Sequence, residues 1–164
     1  MAQSFRILLV EDDDSLRGCL AEFLQSQGWG VSSTAFAAEA LQLARAQRYD
    51  FGLLDYHLPE TTGTQLLQQL LALRPLPSIL MSGMASAAEV ATAQQAGFFT
   101  FLRKPLDLAQ LRQSLERLIH SHFGGPLAPW NHPPGIPESL QRRQPPTSEP
   151  PRRDADPPPI PTSD

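Results

Sequence analysis

Five short apolar runs, each followed by a segment of helical periodicity, constrain this chain more than any other feature. The runs occupy residues 5–10, 31–34, 51–54, 78–81 and 99–102. Each has the length of a strand and is bounded by polar or turn-forming residues. Among the helical patterns the first is sharpest: Leu16, Cys19, Leu20, Phe23 and Leu24 fall at i, i+3, i+4, i+7 and i+8, one face of a helix. Asp14 is placed to cap its start and Gly28 its end. The third pattern rests on Leu66, Leu67, Leu70 and Leu71, and the fifth on Leu108, Leu111, Leu115, Leu118 and Ile119 with Asp107 as N-cap. The fourth opens with a capping-box signature, Ser86-Ala87-Ala88-Glu89, yet offers mostly alanine for burial and is expected to pack thinly. Strict alternation, with strands apolar throughout, predicts a parallel sheet covered on both faces. That is a doubly wound α/β domain, whose ligands bind at the carboxyl ends of the strands.

The pattern stops after Phe123, where Gly124-Gly125 follows the last helical segment. Of 17 prolines only Pro59, Pro75, Pro77 and Pro105 precede this point, so 13 fall in the last 41 of the 164 residues. Each proline removes a backbone donor and fixes φ, so such a segment builds neither helices nor inner strands. The expectation is one folded domain over 1–123 and a disordered tail with polyproline character over 124–164. Within the tail, Trp130 reads either as a docking anchor or, preferably, as a side chain resting on the domain's own surface. The P-x-x-P spacings at Pro134–Pro137 and Pro158–Pro161 read as linker or solvated tail. The net charge of -4 lacks the basic balance of nucleic-acid binders, so no direct nucleic-acid contact is expected. No stretch approaches the roughly 20 apolar residues of a membrane span, and the single Cys19 reads as a buried, reduced thiol. Both point to a cytoplasmic protein without membrane contact.

Each strand carboxyl end but the second's carries a chemically capable group: Glu11-Asp12-Asp13-Asp14 after the first, Asp55 after the third, Ser82-Gly83 after the fourth and Lys104-Pro105 after the fifth. Taken singly they are unremarkable, a helix cap here and a solvated side chain there. As a set at one sheet edge they imply more. Three carboxylates about 5 Å apart repel by roughly 3 kcal/mol per pair at an effective dielectric near 20, which a fold tolerates only with a cation or protonation. An all-oxygen site with few protein ligands suits magnesium, which keeps several waters and uses one or two carboxylates plus phosphate oxygens.

This constellation resembles the receiver domains of response regulators. The matching stretches are Ile7-Leu8-Leu9-Val10-Glu11-Asp12-Asp13, Leu54-Asp55-Tyr56-His57-Leu58-Pro59-Glu60-Thr61-Thr62-Gly63, Met81-Ser82-Gly83 and Phe101-Leu102-Arg103-Lys104-Pro105, and the resemblance covers about residues 4–122. It implies a flavodoxin-like (βα)5 fold with sheet order 2-1-3-4-5. It also implies phosphorylation of Asp55 by a sensor histidine kinase or phosphotransfer protein; output through a separate protein is expected because residues 124–164 are too proline-rich to fold into an effector domain. In the resemblance Asp12 and Asp55 bind Mg2+ directly, Glu11 binds it through water and the carbonyl of His57 completes the protein ligands. Ser82 and Lys104 grip phosphoryl oxygens. Ser82 and Phe101 form the switch, and a cis Lys104-Pro105 bond aims the lysine. Phe101 otherwise reads as an ordinary strand residue, and His57 as a rim residue that the family also uses to gate water attack on the acyl phosphate.

Three rivals compete. A non-phosphorylated pseudo-receiver acting as an interaction scaffold predicts loss of an acid, Ser or Lys, and none is lost. An aspartate-nucleophile phosphohydrolase needs a second acid two residues after the nucleophile, where His57 stands. A flavodoxin needs a donor-rich phosphate loop after the first strand, where four consecutive acids stand instead. His120-x-His122, without further ligands, is not expected to hold metal.

Overall fold

A computed structural model describes residues 4–83 and 86–124. The expected tail from residue 125 on, with Trp130 and both P-x-x-P spacings, lies outside the described residues. The chain runs β1 (Arg6–Val10), α1 (Asp14–Ser26), β2 (Gly30–Thr34), α2 (Ala37–Ala46), β3 (Phe51–Asp55), α3 (Gly63–Leu73), β4 (Ser78–Ser82), α4 (Ala87–Ala96), β5 (Thr100–Arg103) and α5 (Leu108–Phe123). All strand pairs are parallel and the sheet order is β2-β1-β3-β4-β5, as the resemblance implies.

Period-two alternation along the strands divides the core into two layers. Ile7, Leu9, Phe51, Leu53, Ile79 and Met81 face α1 and α5, where Leu20, Phe23, Leu24, Leu111, Leu115, Leu118 and Ile119 close over them. Leu8, Val10, Leu54 and Leu80 face the opposite layer, built from Ala37 and Ala40 of α2, Leu66, Leu67 and Leu70 of α3, and Ala93 of α4. Helix α4 buries Ala93 alone, the thin packing its composition predicts, although its capping box between Ser86 and Glu89 is formed.

Several expectations are corrected. The N-cap of α1 is Asp13, whose carboxylate accepts from Leu16 N at 2.7 Å, and not Asp14, which is already helical. Leu71 is 38% exposed rather than core, because α3 turns it outward between its buried neighbours. Cys19 is half-buried, with burial pushing its thiol pKa up. Strand β2 is not apolar throughout: as an edge strand paired only with β1, it tolerates Ser32 and Ser33. Strands β3 and β4 each run one residue further than the apolar run, so Asp55 and Ser82 belong to the ladder itself.

Candidate functional site

The carboxyl edge of the sheet brings Glu11, Asp12, Asp55 and Lys104 together. Backbone hydrogen bonds fix each approach: Glu11 N to Thr34 O at 3.0 Å, Tyr56 N to Met81 O at 2.8 Å and Lys104 N to Ser82 O at 2.8 Å. Carboxylate oxygens of Glu11, Asp12 and Asp55 lie within 4.8 Å of one another, the first and last buried and Asp12 exposed. The Lys104 ammonium donates to Glu11 Oε1 at 3.0 Å, stands 2.8 Å from Glu11 Oε2 and 3.2 Å from Asp55 Oδ2. The Lys104-Pro105 peptide is cis.

One ammonium against three acids leaves the cluster short of positive charge, and the titration behaviour reflects it. Burial raises the Glu11 carboxyl from its ordinary 4.5 to about 7, with the Asp55 charge adding to burial and Lys104 opposing it. Asp55 is also raised, by burial first and by its hydrogen bond with Asp12. For Asp12 burial again pushes upward but is outweighed: hydrogen bonds with Asp55 and Glu11 and the Lys104 charge hold it below the ordinary value. Burial alone would lower Lys104, but its contacts to Glu11 and Asp55 keep it raised.

The remaining predicted residues surround this cluster at different distances from the surface. Ser82, fully buried, ends β4 beside Asp55's strand. His57 is exposed, its N–H donating to Asp55 Oδ1 at 3.3 Å and its backbone bridged to Thr62. Phe101 is half-buried and packs on the α2-α3-α4 side of the sheet, paired in register with Leu80. His120 and His122 join no metal-holding group among the described residues, and His122 packs edge-on to Phe99 with ring centres 5.8 Å apart.

Three residues that hold the site in place are given no role by the sequence, although Glu60 and Gly63 stand in the matching stretch after Asp55. Arg17 reaches back from α1 to the Glu11 carbonyl at 2.9 Å. Glu60, in the loop after Asp55's strand, accepts from Ala37 N at 2.7 Å and so caps α2, whose own N-cap Phe36 offers no side-chain acceptor. Gly63 donates its N–H to Tyr56 O at 2.8 Å and packs against the Asp55 backbone. A signal for Glu60 existed in the apolar residue at the α2 cap position, but its partner lies 23 residues away.

The donor set fits a hard divalent cation: it is all oxygen, and two of its three carboxylates are buried. The family model described as response regulator receiver domain matches residues 7–116. The chain belongs to that family. Among curated relatives, the transcriptional regulatory protein CseB of Streptomyces coelicolor is 31% identical over 128 residues, covering 76% of this chain and 55% of CseB. The chain spans about half the length, or less, of the curated relatives it matches first. Among solved structures, a CheY-like receiver domain protein from Methanospirillum hungatei is 29% identical at TM-score 0.69, covering 75% of this chain and 100% of that one. The receiver domain of the sensor histidine kinase PA1611 from Pseudomonas aeruginosa, solved with magnesium coordinated in its active site cleft, is 32% identical at TM-score 0.64, covering 71% and 98%. The receiver described here has no helix, among its described residues, long and apolar enough to cross a membrane.

Proposed function

We propose that this receiver accepts a phosphoryl group on Asp55 from a histidine kinase or phosphotransfer protein and passes the signal to a partner protein by changing shape. The observation that carries the reading is Lys104, whose ammonium bridges Glu11 and Asp55 across the carboxyl edge of the sheet. A pseudo-receiver has no use for such an arrangement, since it keeps two buried carboxylates and an ammonium in one pocket at a desolvation cost.

In the proposed reaction an Asp55 carboxylate oxygen attacks the phosphorus of a phosphohistidine. The new O–P bond forms as the P–N bond breaks, and the imidazole leaves with the electron pair of that bond. Asp55 is held for this by its place at the end of β3 and by the His57 N–H on Oδ1. Lys104, already 3.2 Å from Asp55 Oδ2, moves its contact to a phosphoryl oxygen as charge builds there. Ser82 supplies a hydroxyl to a second phosphoryl oxygen. Glu11, Asp12, Asp55 and the carbonyl of His57 would hold magnesium. Magnesium held there would supply positive charge against the carboxylates and the incoming phosphoryl oxygens.

The proposed output begins with the Ser82 hydroxyl drawn toward the phosphoryl group. Phe101 then turns inward beside β5, recovering dispersion contacts that a void would forfeit. Helix α4, which buries only Ala93 and packs Ala96 beside it, is the element most easily displaced. The setting that suits this chemistry is the cytoplasm, and with a net charge of -4 the output partner is a protein rather than nucleic acid.

Incubation with acetyl phosphate and MgCl2, followed by intact mass spectrometry, tests the core of the proposal. A gain of one phosphoryl group that is lost with Asp55→Asn and with chelator is the expected result. Equal labelling of the variant, or labelling that survives chelation, overturns it.

A further inference from the structure

We propose that Arg17 is a positioning residue for cation binding: its guanidinium fixes the β1-α1 turn so that Glu11 and Asp12 are presented to the ion together. This rests on the magnesium reading above.

The turn that carries two of the three clustered acids has little packing of its own, because Asp12, Asp13, Asp14 and Ser15 are all exposed. Its order therefore comes from hydrogen bonds. Asp13 N donates to Glu11 Oε1 at 3.2 Å, Leu16 N donates to Asp13 Oδ1 at 2.7 Å, and Arg17 supplies the rest. Arg17 Nη1 donates to the Glu11 carbonyl at 2.9 Å, Nη2 to Asp14 Oδ1 at 2.5 Å, and its backbone N–H to Asp13 O at 2.9 Å. One residue thus holds Glu11, Asp13 and Asp14 at once.

The contact to the Glu11 carbonyl decides the function. That carbonyl belongs to the peptide plane joining Glu11 to Asp12, and holding it sets the direction in which the Asp12 side chain leaves the backbone. The pair with Asp14 alone would mean little, since the Asp14 side chain is 88% exposed and such bridges are weak. Arginine suits the task because its planar fork spans two acceptors at once, whereas a lysine ammonium is a point donor. A turn ordered in advance spares the ion the entropic cost of ordering it.

Charge and position predict opposite outcomes, which makes the proposal testable. A cation beside three carboxylates repels a second cation, so if Arg17 acted only through its charge, removing it would tighten Mg2+ binding. If it positions the turn, removing it weakens binding. Titration calorimetry of MgCl2 into the full chain at pH 8 should show Arg17→Met binding about 10-fold more weakly, the usual loss for a residue that orients metal ligands. Arg17→Lys, which keeps the charge and stem but not the fork, should fall between the two, and it carries the test if Arg17→Met loses its fold. Asp55 labelling by acetyl phosphate should fall in the variants at limiting Mg2+ and recover as Mg2+ is raised, because the defect lies in binding and not in chemistry. Unchanged or tighter binding in the variants overturns the proposal while leaving the phosphorylation reading intact. A wild type with no Mg2+ affinity overturns the magnesium reading first, and this inference with it.

Discussion

A Cβ added at Gly63 would stand 2.3 Å from the carbonyl oxygen of Asp55 and 2.9 Å from Leu80 Cδ1. The first residue of α3 therefore touches the backbone of the proposed nucleophile with no room between them, and no side chain larger than hydrogen fits unless both neighbours give way.

Gly63→Ala is accordingly expected to act at Asp55. The leucine end can swing away, but the carbonyl sits in a strand paired with its neighbours, so relief requires backbone movement. Urea unfolding should show a loss of about 1–3 kcal/mol, the range of overpacked cores. The initial rate of acetyl phosphate labelling should fall about 10- to 100-fold, because small misplacements of a reacting group are costly. Labelling at the wild-type rate would show that the contact does not position Asp55.

Coupling between Mg2+ and pH follows from the cluster's titration. Glu11 is raised from 4.5 to about 7, and Asp55 is raised as well. A carboxyl raised on folding contributes stability that is fully present below its unfolded value and is lost as pH rises through its folded one. The metal-free domain should therefore lose stability on this account between pH 4.5 and about 7. Asp12 is lowered, so its contribution is lost only toward acid, below this window. Ion binding requires deprotonated carboxylates and releases protons. The rise in melting temperature on adding MgCl2 should therefore be larger at pH 8 than at pH 6. Equal rises, measured calorimetrically at the two pH values, would contradict this.

Lys104→Met should separate affinity from chemistry. Without the ammonium, Glu11 and Asp55 lose the charge that offsets their mutual repulsion, and the metal-free protein at pH 8 should lose about 1–3 kcal/mol. The more negative cluster should bind Mg2+ more tightly, while Asp55 labelling slows because the phosphoryl oxygens lose their partner. Weaker Mg2+ binding in this variant would mean that Lys104 organises the carboxylates rather than competing with the ion.

The architecture was legible because each strand carries its burial in its composition, and the acids, Ser82 and Lys104 stand where strands end. Contacts that depend on register were not legible. Arg17 reads as one more polar residue on the first helix until its guanidinium is seen on the Glu11 carbonyl. The difference between Asp13 and Asp14 as cap is one residue of helix phase, which periodicity does not resolve. Leu71 fits the apolar pattern of α3 but lies at the edge of its buried stripe.

Removing residues 125–164 should leave the domain intact. By Gly124 the core is closed: Phe123 packs on Phe5 with ring centres 5.1 Å apart, and Gly124 N ties back to Ile119 O at 3.1 Å. The truncated chain should melt within about 5 °C of the full one and label at the same rate. A larger drop in melting temperature would show that the removed segment packs as part of the domain.

The aromatic group at the other end of the sheet determines how this protein can be watched by optical means. Trp29 is 6% exposed and packs against Phe5 and Phe51, with ring centres 5.7 Å away in both cases. Phe51 opens the strand that Asp55 closes, a separation of roughly 13 Å at the rise of a strand. Trp29 is thus enclosed among residues at the amino edge of the sheet, opposite the carboxylates. Its fluorescence will follow global unfolding and remain blind to events at Asp55. With Trp130 replaced by phenylalanine, a reporter of signalling has to be introduced at the carboxyl edge, and Trp29 then serves as the internal reference that tells a local change there from loss of the fold.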